Sequence, residues 1–360
     1  MSKDALIIGA GIGGLTAVHA LRQQGWTCQI HEQASEFSEV GAGIQLSPNA
    51  TRILQRLNLL DAIRARSFEP EAATIRHGPT GRTCMYAPLK GFCERTYGAP
   101  YLHIYRPDLH AILAEGLEVE LGSRVESYDP GSFTIGADGL RSSLQMQMNG
   151  PEAPSFTGQV AWRGLVQADE SLRALIPPHA SVWAGPGQHV VTYYLRPDLI
   201  NFVAVTEQSD WQEEGWNLPG DVAELRDRFA GWHPAVTQLL SACQAVQRWA
   251  LFDRQPLPKW VEGQVALLGD AAHPTLPFLA QGAALAIEDA WALAKFAPDL
   301  EAYERARKPR TSKLQAWARS NANLYHQTRW LDRVKLLISS GAFRGPQAHI
   351  LFWQIFSYSE

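Results

Sequence analysis

Cysteine is scarce in this sequence, with four residues among 360. Cys28, Cys84, Cys93 and Cys243 are scattered along the chain, and no two of them form a Cys-x-x-Cys pair. This spacing disfavours both a metal centre and a disulfide framework. We therefore predict no metal site, and we expect the protein to reside in a reducing compartment.

An excess of one charge and long apolar runs are also missing. The chain has 32 Lys and Arg against 36 Asp and Glu, a net charge of −4. Such a balance gives no broad basic surface, so we expect no nucleic-acid partner. No apolar run reaches the roughly 18 residues that span a bilayer. The glycine-interrupted N-terminus does not have the pattern of a secretory signal. We therefore expect a cytoplasmic protein without a membrane span.

The first thirty residues have the pattern of a βαβ unit. Residues 5–8 are a short apolar run typical of a buried strand, and residues 11–24 have helical periodicity. Residues 27–31 read as a second strand that ends at Glu32. Parallel strands joined by a crossover helix predict an α/β fold.

A glycine-rich motif lies between the first strand and the first helix. The sequence at residues 9–14 is GAGIGG, and Glu32 follows Gly14 by eighteen residues. Gly9 permits a tight turn, Gly11 lets a pyrophosphate approach the backbone, and Gly14 lets the helix pack on the strand. Glu32 can accept hydrogen bonds from a ribose. The motif predicts a bound dinucleotide, but it does not separate FAD from NAD.

A second motif, LLGDAAHPTLPFLAQGAALAIEDA, occupies residues 267–290. It reads as a buried strand ending at Gly269-Asp270, a proline-containing loop and an alanine-rich helix. Asp270 can bond sugar-like hydroxyls, and the N–H groups of residues 281–284 form a positive helix end that stabilises a reduced, anionic flavin. The alternative is a loop carboxylate beside an ordinary core helix.

The middle of the chain has a different pattern. Alternating segments between residues 156 and 207, with a turn at residues 196–198, predict an inserted antiparallel sheet. Short helices at 222–229 and 235–240 and a strand at 247–252 follow, and residues 300–326 predict a long helix. The expected architecture is a Rossmann-like cofactor-binding domain (1–70, 98–153 and 260–298), an inserted β-sheet substrate domain (71–97 and 154–259) and a C-terminal helical region (299–360).

Four motifs together resemble one enzyme family. The segment after Gly269 resembles the flavin-ribityl motif of single-component FAD-dependent aromatic hydroxylases, the class A flavoprotein monooxygenases with the para-hydroxybenzoate hydroxylase fold. Residues 135–139 (IGADG), 39–54 (EVGAGIQLSPNATRIL) and 105–109 (YRPDL) resemble three further family segments in the family's order. The similarity is greatest to the salicylate hydroxylase and 3-hydroxybenzoate 6-hydroxylase branch.

The resemblance implies an FAD enzyme that uses NADH or NADPH as a transient co-substrate, and O2. Such an enzyme hydroxylates a small phenolic or heteroaromatic substrate, in many cases a carboxylated one, through a flavin C4a-hydroperoxide. The alternatives are a related FAD oxygenase acting on urate or a polyketide-like ring, and an FAD-dependent reductase that is not an oxygenase. The sequence does not separate NADH from NADPH or a monomer from a homodimer.

The motifs and the resemblance together predict the site residues. On the substrate side, His189 and Tyr193 are four residues apart on a predicted strand, so they share a face. The resemblance implies that His189 acts as base or hydrogen-bond partner and that Tyr193 orients the substrate; the alternative is ordinary sheet packing. Arg163, Pro277 and Phe278 are candidate substrate contacts. The predicted cofactor-binding residues are Gly9, Gly11, Ile12, Gly13, Gly14, Glu32, Gln33, Gly43, Gln45, Arg106, Val125, Asp138, Asp270, Gly282 and Ala283.

The chain departs from the family pattern in three places. Only nine residues, ESYDPGSFT, join Val125 to Ile135, where the family has a longer β meander. Gln145 stands where the family commonly has arginine. Ala280 stands where many members have glycine.

Overall fold

The computed structural model describes residues 3–37, 41–151, 154–209, 218–326 and 345–358. The strands are β1 (Asp4–Ile8), β2 (Thr27–His31), β3 (Gly43–Leu46), β4 (Ser67–Phe68), β5 (Ala72–His77), β6 (Thr83–Pro88), β7 (Leu102–Tyr105), β8 (Thr134–Gly136), β9 (Ser155–Gln167), β10 (Ala180–Gly185), β11 (Gln188–Arg196), β12 (Leu199–Glu207), β13 (Leu218–Gly220), β14 (Val246–Asp253), β15 (Val261–Glu262) and β16 (Val265–Leu267). The helices are α1 (Ile12–Gln23), α2 (Pro48–Arg56), α3 (Leu60–Ala65), α4 (Phe92–Tyr97), α5 (Arg106–Ala114), α6 (Ser143–Asn149), α7 (Glu170–Leu175), α8 (Val222–Arg228), α9 (Pro234–Ala242), α10 (Gly282–Phe296), α11 (Leu300–His326) and α12 (Ile350–Phe356).

A five-stranded sheet in the order β15-β16-β8-β1-β2 forms the centre of the α/β part. The four strands from β16 to β2 pair in parallel, and β15 is antiparallel to β16. Helices α1 and α10 pack against each other beside it. Because a parallel sheet is covered on both faces, its strands are short apolar runs. Because β16, β8, β1 and β2 run in the same direction, their carboxyl ends lie together at one edge of the sheet.

An eight-stranded sheet in the order β13-β14-β9-β12-β11-β10-β5-β6 forms the inserted part. The predicted α/β fold with an inserted, largely antiparallel sheet is confirmed; one pair, β5 and β10, is parallel. One face of this sheet packs Trp162 and Phe202 against α8 and α9. The opposite face carries the alternate residues of β11, among them His189 and Tyr193. The strands of the two sheets fall within the two ranges predicted as domains, and we propose that division for the folded chain.

A three-stranded sheet, β3-β7-β4, adjoins the large sheet. No regular strand occupies residues 121–133, so the short connection before β8 forms turns and loop instead of a meander. The long helix α11 begins at the predicted residue and includes every described residue of the predicted range 300–326. The apolar tail packs internally, because α12 places Ile355 and Phe356 in a buried cluster with Tyr97 and Leu314.

A buried ion-pair network joins α10 to α11. Arg307 lies 2.7 Å from both Glu288 and Asp289, and Arg310 lies 2.7 Å from Glu288. Asp289 also accepts from the backbone N–H of Gly269 at 3.1 Å and is paired with His273. Buried charges are tolerated where each is paired and hydrogen-bonded. The network therefore fixes the loop before Asp270 against two helices.

Three further features involve the cysteines, the helices and the possible metal ligands. All four cysteines are buried thiols. Within the described ranges, no helix has the length and apolarity needed to cross a membrane. The same part of the chain contains no group of three or more His, Cys, Asp or Glu side chains arranged to hold a metal ion.

Candidate cofactor and substrate site

Four predicted cofactor-binding elements meet at the carboxyl edge of the five-stranded sheet. The glycine-rich loop follows β1, Glu32 follows β2, Asp138 follows β8, and Asp270 follows β16. The strand order places these four strands side by side. The chain passes from β1 through α1 to β2 on one side, and the later strand β8 pairs with β1 on the other side, so the strand order reverses at β1. Open α/β sheets bind ligands at the carboxyl ends of strands at such a point.

The glycines of the loop serve two different purposes. Gly9 has φ of +101°, and a Cβ on Gly14 would lie 2.0 Å from the carbonyl oxygen of Gly9. A Cβ on Gly13 would lie 2.5 Å from the side chain of Leu268. These three glycines are needed for turn geometry and close packing. A Cβ on Gly11 would meet no protein atom within 4 Å, so Gly11 borders open space.

Glu32 bonds the glycine-rich loop. Its carboxylate accepts from the backbone N–H of Ala10 at 2.8 Å and from that of Ala34 at 2.9 Å. A carboxylate has about four acceptor positions, so this leaves capacity for ribose hydroxyls. The neighbouring Gln33 is exposed, and Ile12 is half-buried at the start of α1.

Asp138 packs directly behind the glycine-rich loop. Its Oδ2 accepts from the N–H of Ser143 at 2.9 Å, and its Oδ1 is buried with no hydrogen-bond partner among the described residues. The Ser143 hydroxyl also donates to the carbonyl of Val125 at 3.2 Å, which ties that loop to the same place. Burial raises the pKa of Asp138. A buried acceptor without a partner suits a ligand or water donor.

Asp270 has the environment of a residue that lines a cavity. Its surface is exposed, yet desolvation by the surrounding protein raises the pKa of its carboxyl group. His273 and Arg106 act in the opposite direction, and Asp289 adds to the rise. Exposure and desolvation coexist where protein surrounds a space that solvent can enter. The carboxylate therefore faces such a space.

The N-terminus of α10 opens onto solvent-accessible space. Gly282 and Ala283 are half-buried, and a Cβ on Gly282 would meet nothing within 4 Å. The first N–H groups of a helix have no partners within it and carry partial positive charge. Ala280, just before the helix, has φ of +52°, a left-handed conformation that explains why glycine is common there.

Gly43 is held by the large sheet through both of its backbone groups. The hydroxyl of Tyr193 donates to the carbonyl of Gly43 at 2.7 Å, and the N–H of Gly43 donates to Asn201 at 2.9 Å. Gln45, two residues on, accepts from the hydroxyl of Tyr101 at 2.7 Å, which leaves its amide N–H groups for a ligand. The Tyr193 proton is therefore directed at the loop; a role in orienting substrate stays a prediction.

His189 is buried on the sheet face opposite α8 and α9. Its ring lies 5.6 Å from that of Phe278 and 5.3 Å from that of Tyr325. Its Nδ1 is 3.0 Å from Nε2 of His326. Burial, with repulsion from His326 as a smaller cause, lowers the pKa of His189 well below its usual value. His189 is therefore neutral at pH 7, with one ring nitrogen able to accept a hydrogen bond.

Arg163 lies on the same face as His189. Its Nη2 donates to Gln247 at 2.9 Å, and its guanidinium stacks 5.2 Å from the ring centre of Trp249. Burial lowers the pKa of Arg163, and the nearby Arg106 adds a smaller lowering effect. A desolvated cation near a second cation is stabilised by an anion. Of the other two substrate candidates, Phe278 is buried and Pro277 is exposed.

The residues present fit FAD. Open space at Gly11 and Gly282, the unpartnered Oδ1 of Asp138 and the cavity-lining Asp270 lie along one edge of the sheet. A dinucleotide needs this combination of backbone donors for the pyrophosphate and carboxylates for hydroxyl groups. The fold and the site together define a dinucleotide-binding enzyme.

Comparisons with known proteins extend this conclusion. A family model described as "FAD binding domain" matches residues 123–318. The chain is 36% identical to a 3-amino-4-hydroxybenzoate 2-monooxygenase of Streptomyces platensis over 89% of this chain and 88% of that protein. It is 34% identical to a 6-hydroxynicotinate 3-monooxygenase of Pseudomonas fluorescens over 89% and 93%. Klebsiella pneumoniae HpxO, in a structure with FAD and uric acid, superposes with a TM-score of 0.85 at 27% identity, over 98% of this chain and 96% of that one.

The chain belongs to the FAD-dependent aromatic-ring monooxygenases. The predicted enzyme class, the cofactor FAD and the co-substrates NAD(P)H and O2 are thereby confirmed.

Sequence reasoning did not find Asn201, Tyr101, His326 or Glu207. Each of them is hydrogen-bonded to a residue at least 56 positions away in the sequence. Such pairs leave no local pattern in the sequence.

Proposed function

We propose that this enzyme hydroxylates a small phenolic or heteroaromatic ring that carries a carboxylate. The observation that supports this most directly is the placement of His189 and Arg163 on one sheet face. Val191 on β11 pairs with Val203 on β12, and Val203 pairs with Arg163 on β9. Arg163 therefore lies two strands from β11. From strand geometry, the Cα atoms of His189 and Arg163 are roughly 12 Å apart. The guanidinium of Arg163 is turned toward Gln247 and Trp249 on β14, on the side away from β11, so the sheet surface between it and His189 is long enough for one aromatic acid.

The surface between the two polar residues is apolar. Val191 and Val203 are half-buried, although most neighbouring residues of this sheet are buried. An apolar surface with a few polar groups at its ends is typical of small-molecule sites. We propose that Arg163 binds the carboxylate and that the neutral His189 takes the proton of the ring hydroxyl. The buried Phe278 excludes water from the same space.

For the cofactor, we propose the assignment made from the sequence. The loop 9–14 and Glu32 bind the adenosine diphosphate half, together with Gln33, Val125 and Arg106. Asp138 and Asp270 bind the remaining polar groups, and Gly43, Gln45, Gly282 and Ala283 border the flavin ring. When bound, FAD transfers electrons from NAD(P)H and activates O2.

A substrate panel tests the proposal. Purified protein is loaded with FAD, and NAD(P)H oxidation and O2 consumption are measured with hydroxybenzoates and hydroxynicotinates and with the carboxamide of each. An acid should stimulate both rates and its carboxamide should not. Uric acid, which is bound in the similar HpxO structure, is included as the second candidate. Stimulation by uric acid alone, or by the amides as strongly as by the acids, would reject a carboxylated substrate. NADH and NADPH are compared in the same assay.

We further propose a cytoplasmic monomer or homodimer. Four buried thiols suit a reducing compartment. Light scattering of the purified protein measures the oligomeric state.

A further inference from the structure

Glu207, His326 and His189 form a hydrogen-bonded series from the surface to the predicted substrate site. Glu207 Oε1 lies 2.9 Å from Nδ1 of His326. Nε2 of His326 lies 3.0 Å from Nδ1 of His189. The side chain of Glu207 is 48% exposed, whereas that of His326 is 1% exposed. A fully buried imidazole is thus connected to solvent through two other side chains.

The order of donors and acceptors in this series fixes the hydrogen on each ring. An ionised carboxylate can only accept, so Nδ1 of His326 carries the hydrogen that Glu207 receives. A neutral imidazole has one N–H, so Nε2 of His326 is bare and accepts from Nδ1–H of His189. Nε2 of His189 is then bare as well. No described residue bonds this nitrogen, and it is the one that a substrate hydroxyl can reach.

One side chain and two backbone bonds surround this series. The amide nitrogen of Gln159 lies 3.4 Å from Nδ1 of His326, so a hydrogen on Nδ1 requires the amide to be turned with its oxygen toward the ring. The backbone holds the two ends together, because Gly187 donates to the carbonyl of His326 at 2.8 Å and accepts from Glu207 at 3.0 Å. Among the residues that the structure describes, Glu207 from β12 and Tyr325 from α11 are the titratable groups that face the histidine pair.

We propose that His326 and Glu207 are positioning residues that hold His189 as a base and carry its proton to solvent. The proposal rests on the proposed function, since it assumes a ring hydroxyl at Nε2 of His189. The hydroxyl O–H bond breaks as Nε2 of His189 gains the proton. Nδ1 of His189 then releases its proton to Nε2 of His326, and Nδ1 of His326 releases one to Glu207 and water. The net change is the transfer of one proton from substrate to solvent.

Nitrogen-15 NMR of the FAD-loaded protein without substrate tests the tautomers directly, because bare and protonated ring nitrogens have well-separated shifts. The signals are assigned by their loss in His189→Asn and His326→Asn. Both rings should carry hydrogen on Nδ1, and a hydrogen on Nε2 of His189 would overturn the proposal. Glu207→Gln, a change at the surface, should populate the other tautomer of His189. Glu170→Gln on exposed α7 is the matched control and should change neither ring.

Turnover provides the second measurement, with whichever acid of the panel stimulates the enzyme. Glu207→Gln and His326→Gln should lower kcat at least about 10-fold with KM nearly unchanged, since a histidine base in the wrong tautomer can lose up to about 10⁴-fold. The pH profile of kcat should shift, and Glu207→Asp should restore it. An unchanged kcat and pH profile in both variants would contradict the relay. If no aromatic substrate stimulates the wild type, the proposed function fails, while the NMR result still decides the tautomers.

Discussion

Alanine substitutions at Gly11 and Gly14 separate cofactor binding from folding. The backbone of Gly11, with φ of −74° and ψ of −178°, is open to alanine. Its added Cβ meets no protein atom, whereas a Cβ on Gly14 would lie 2.0 Å from the oxygen of Gly9. Gly11→Ala should therefore fold normally and lose FAD. Gly14→Ala should be destabilised, because α1 cannot pack on β1 without moving.

The expected magnitudes follow from the same geometry. Removing a glycine at a compatible position stabilises a protein by about 0.4–1 kcal/mol, and losing glycine at an N-cap costs a similar amount. The free energy of unfolding of Gly11→Ala should thus stay within about 1 kcal/mol of wild type. If the new methyl group prevents two hydrogen bonds to the pyrophosphate, each worth about 1.5–3 kcal/mol, FAD affinity should fall at least about 100-fold.

Urea unfolding of the apoproteins and fluorescence titration with FAD measure the two effects. Wild-type FAD affinity in Gly11→Ala would refute the assignment of the space beside Gly11 to the pyrophosphate. A loss of more than about 2 kcal/mol of stability in the same variant would refute the packing argument. Gly14→Ala with normal stability would do so as well.

Three other predictions concern single side chains. Asp270→Ala should lose FAD during dialysis while its urea midpoint changes little; unchanged flavin occupancy would contradict a cofactor role. Arg163→Gln should raise KM for an aromatic acid about 10-fold or more through loss of a charge-assisted hydrogen bond, and an equal rise for the matched carboxamide would argue against carboxylate binding. Burial lowers the pKa of His103 from 6.5 to about 3, so between these values the unfolded chain binds a proton that the fold does not. Stability therefore falls as pH falls through this window. Between pH 7 and pH 5, the wild type should lose about 2 kcal/mol more unfolding free energy than His103→Gln does, as measured by urea unfolding. Equal losses in both proteins would contradict the buried, neutral state.

Much of the fold could be predicted because its signals are local. Each signal lies within one segment: the apolar run of residues 5–8, the glycine spacing of residues 9–14 and the helical periodicity of residues 300–326. The parallel pairing of β5 with β10 could not be predicted, since it joins strands about a hundred residues apart and both read as ordinary β segments.

The candidate site divides in the same way. Residues in motifs, such as Glu32 and Asp270, could be predicted because each follows a strand whose carboxyl end reaches the site. The partners of His189 and Tyr193 could not, because His326 lies 137 residues and Gly43 150 residues away. The hydrogen-bond partner of a side chain is set by distance in space. Residue spacing along one strand fixes only the face of the sheet on which the side chain lies.

The two bonds to Gly43 limit how freely the large sheet can be exchanged among related enzymes. Tyr193 and Asn201 are paired across β11 and β12, and together they satisfy both backbone groups of one residue outside the sheet. A chimera that imports the sheet without these two side chains leaves a donor and an acceptor without partners, each at a cost of about 1–3 kcal/mol. On the proposed assignment of His189 and Arg163 to the substrate, grafting residues around them should alter the substrate range, but the Tyr193–Asn201 pair must be retained with the recipient's loop.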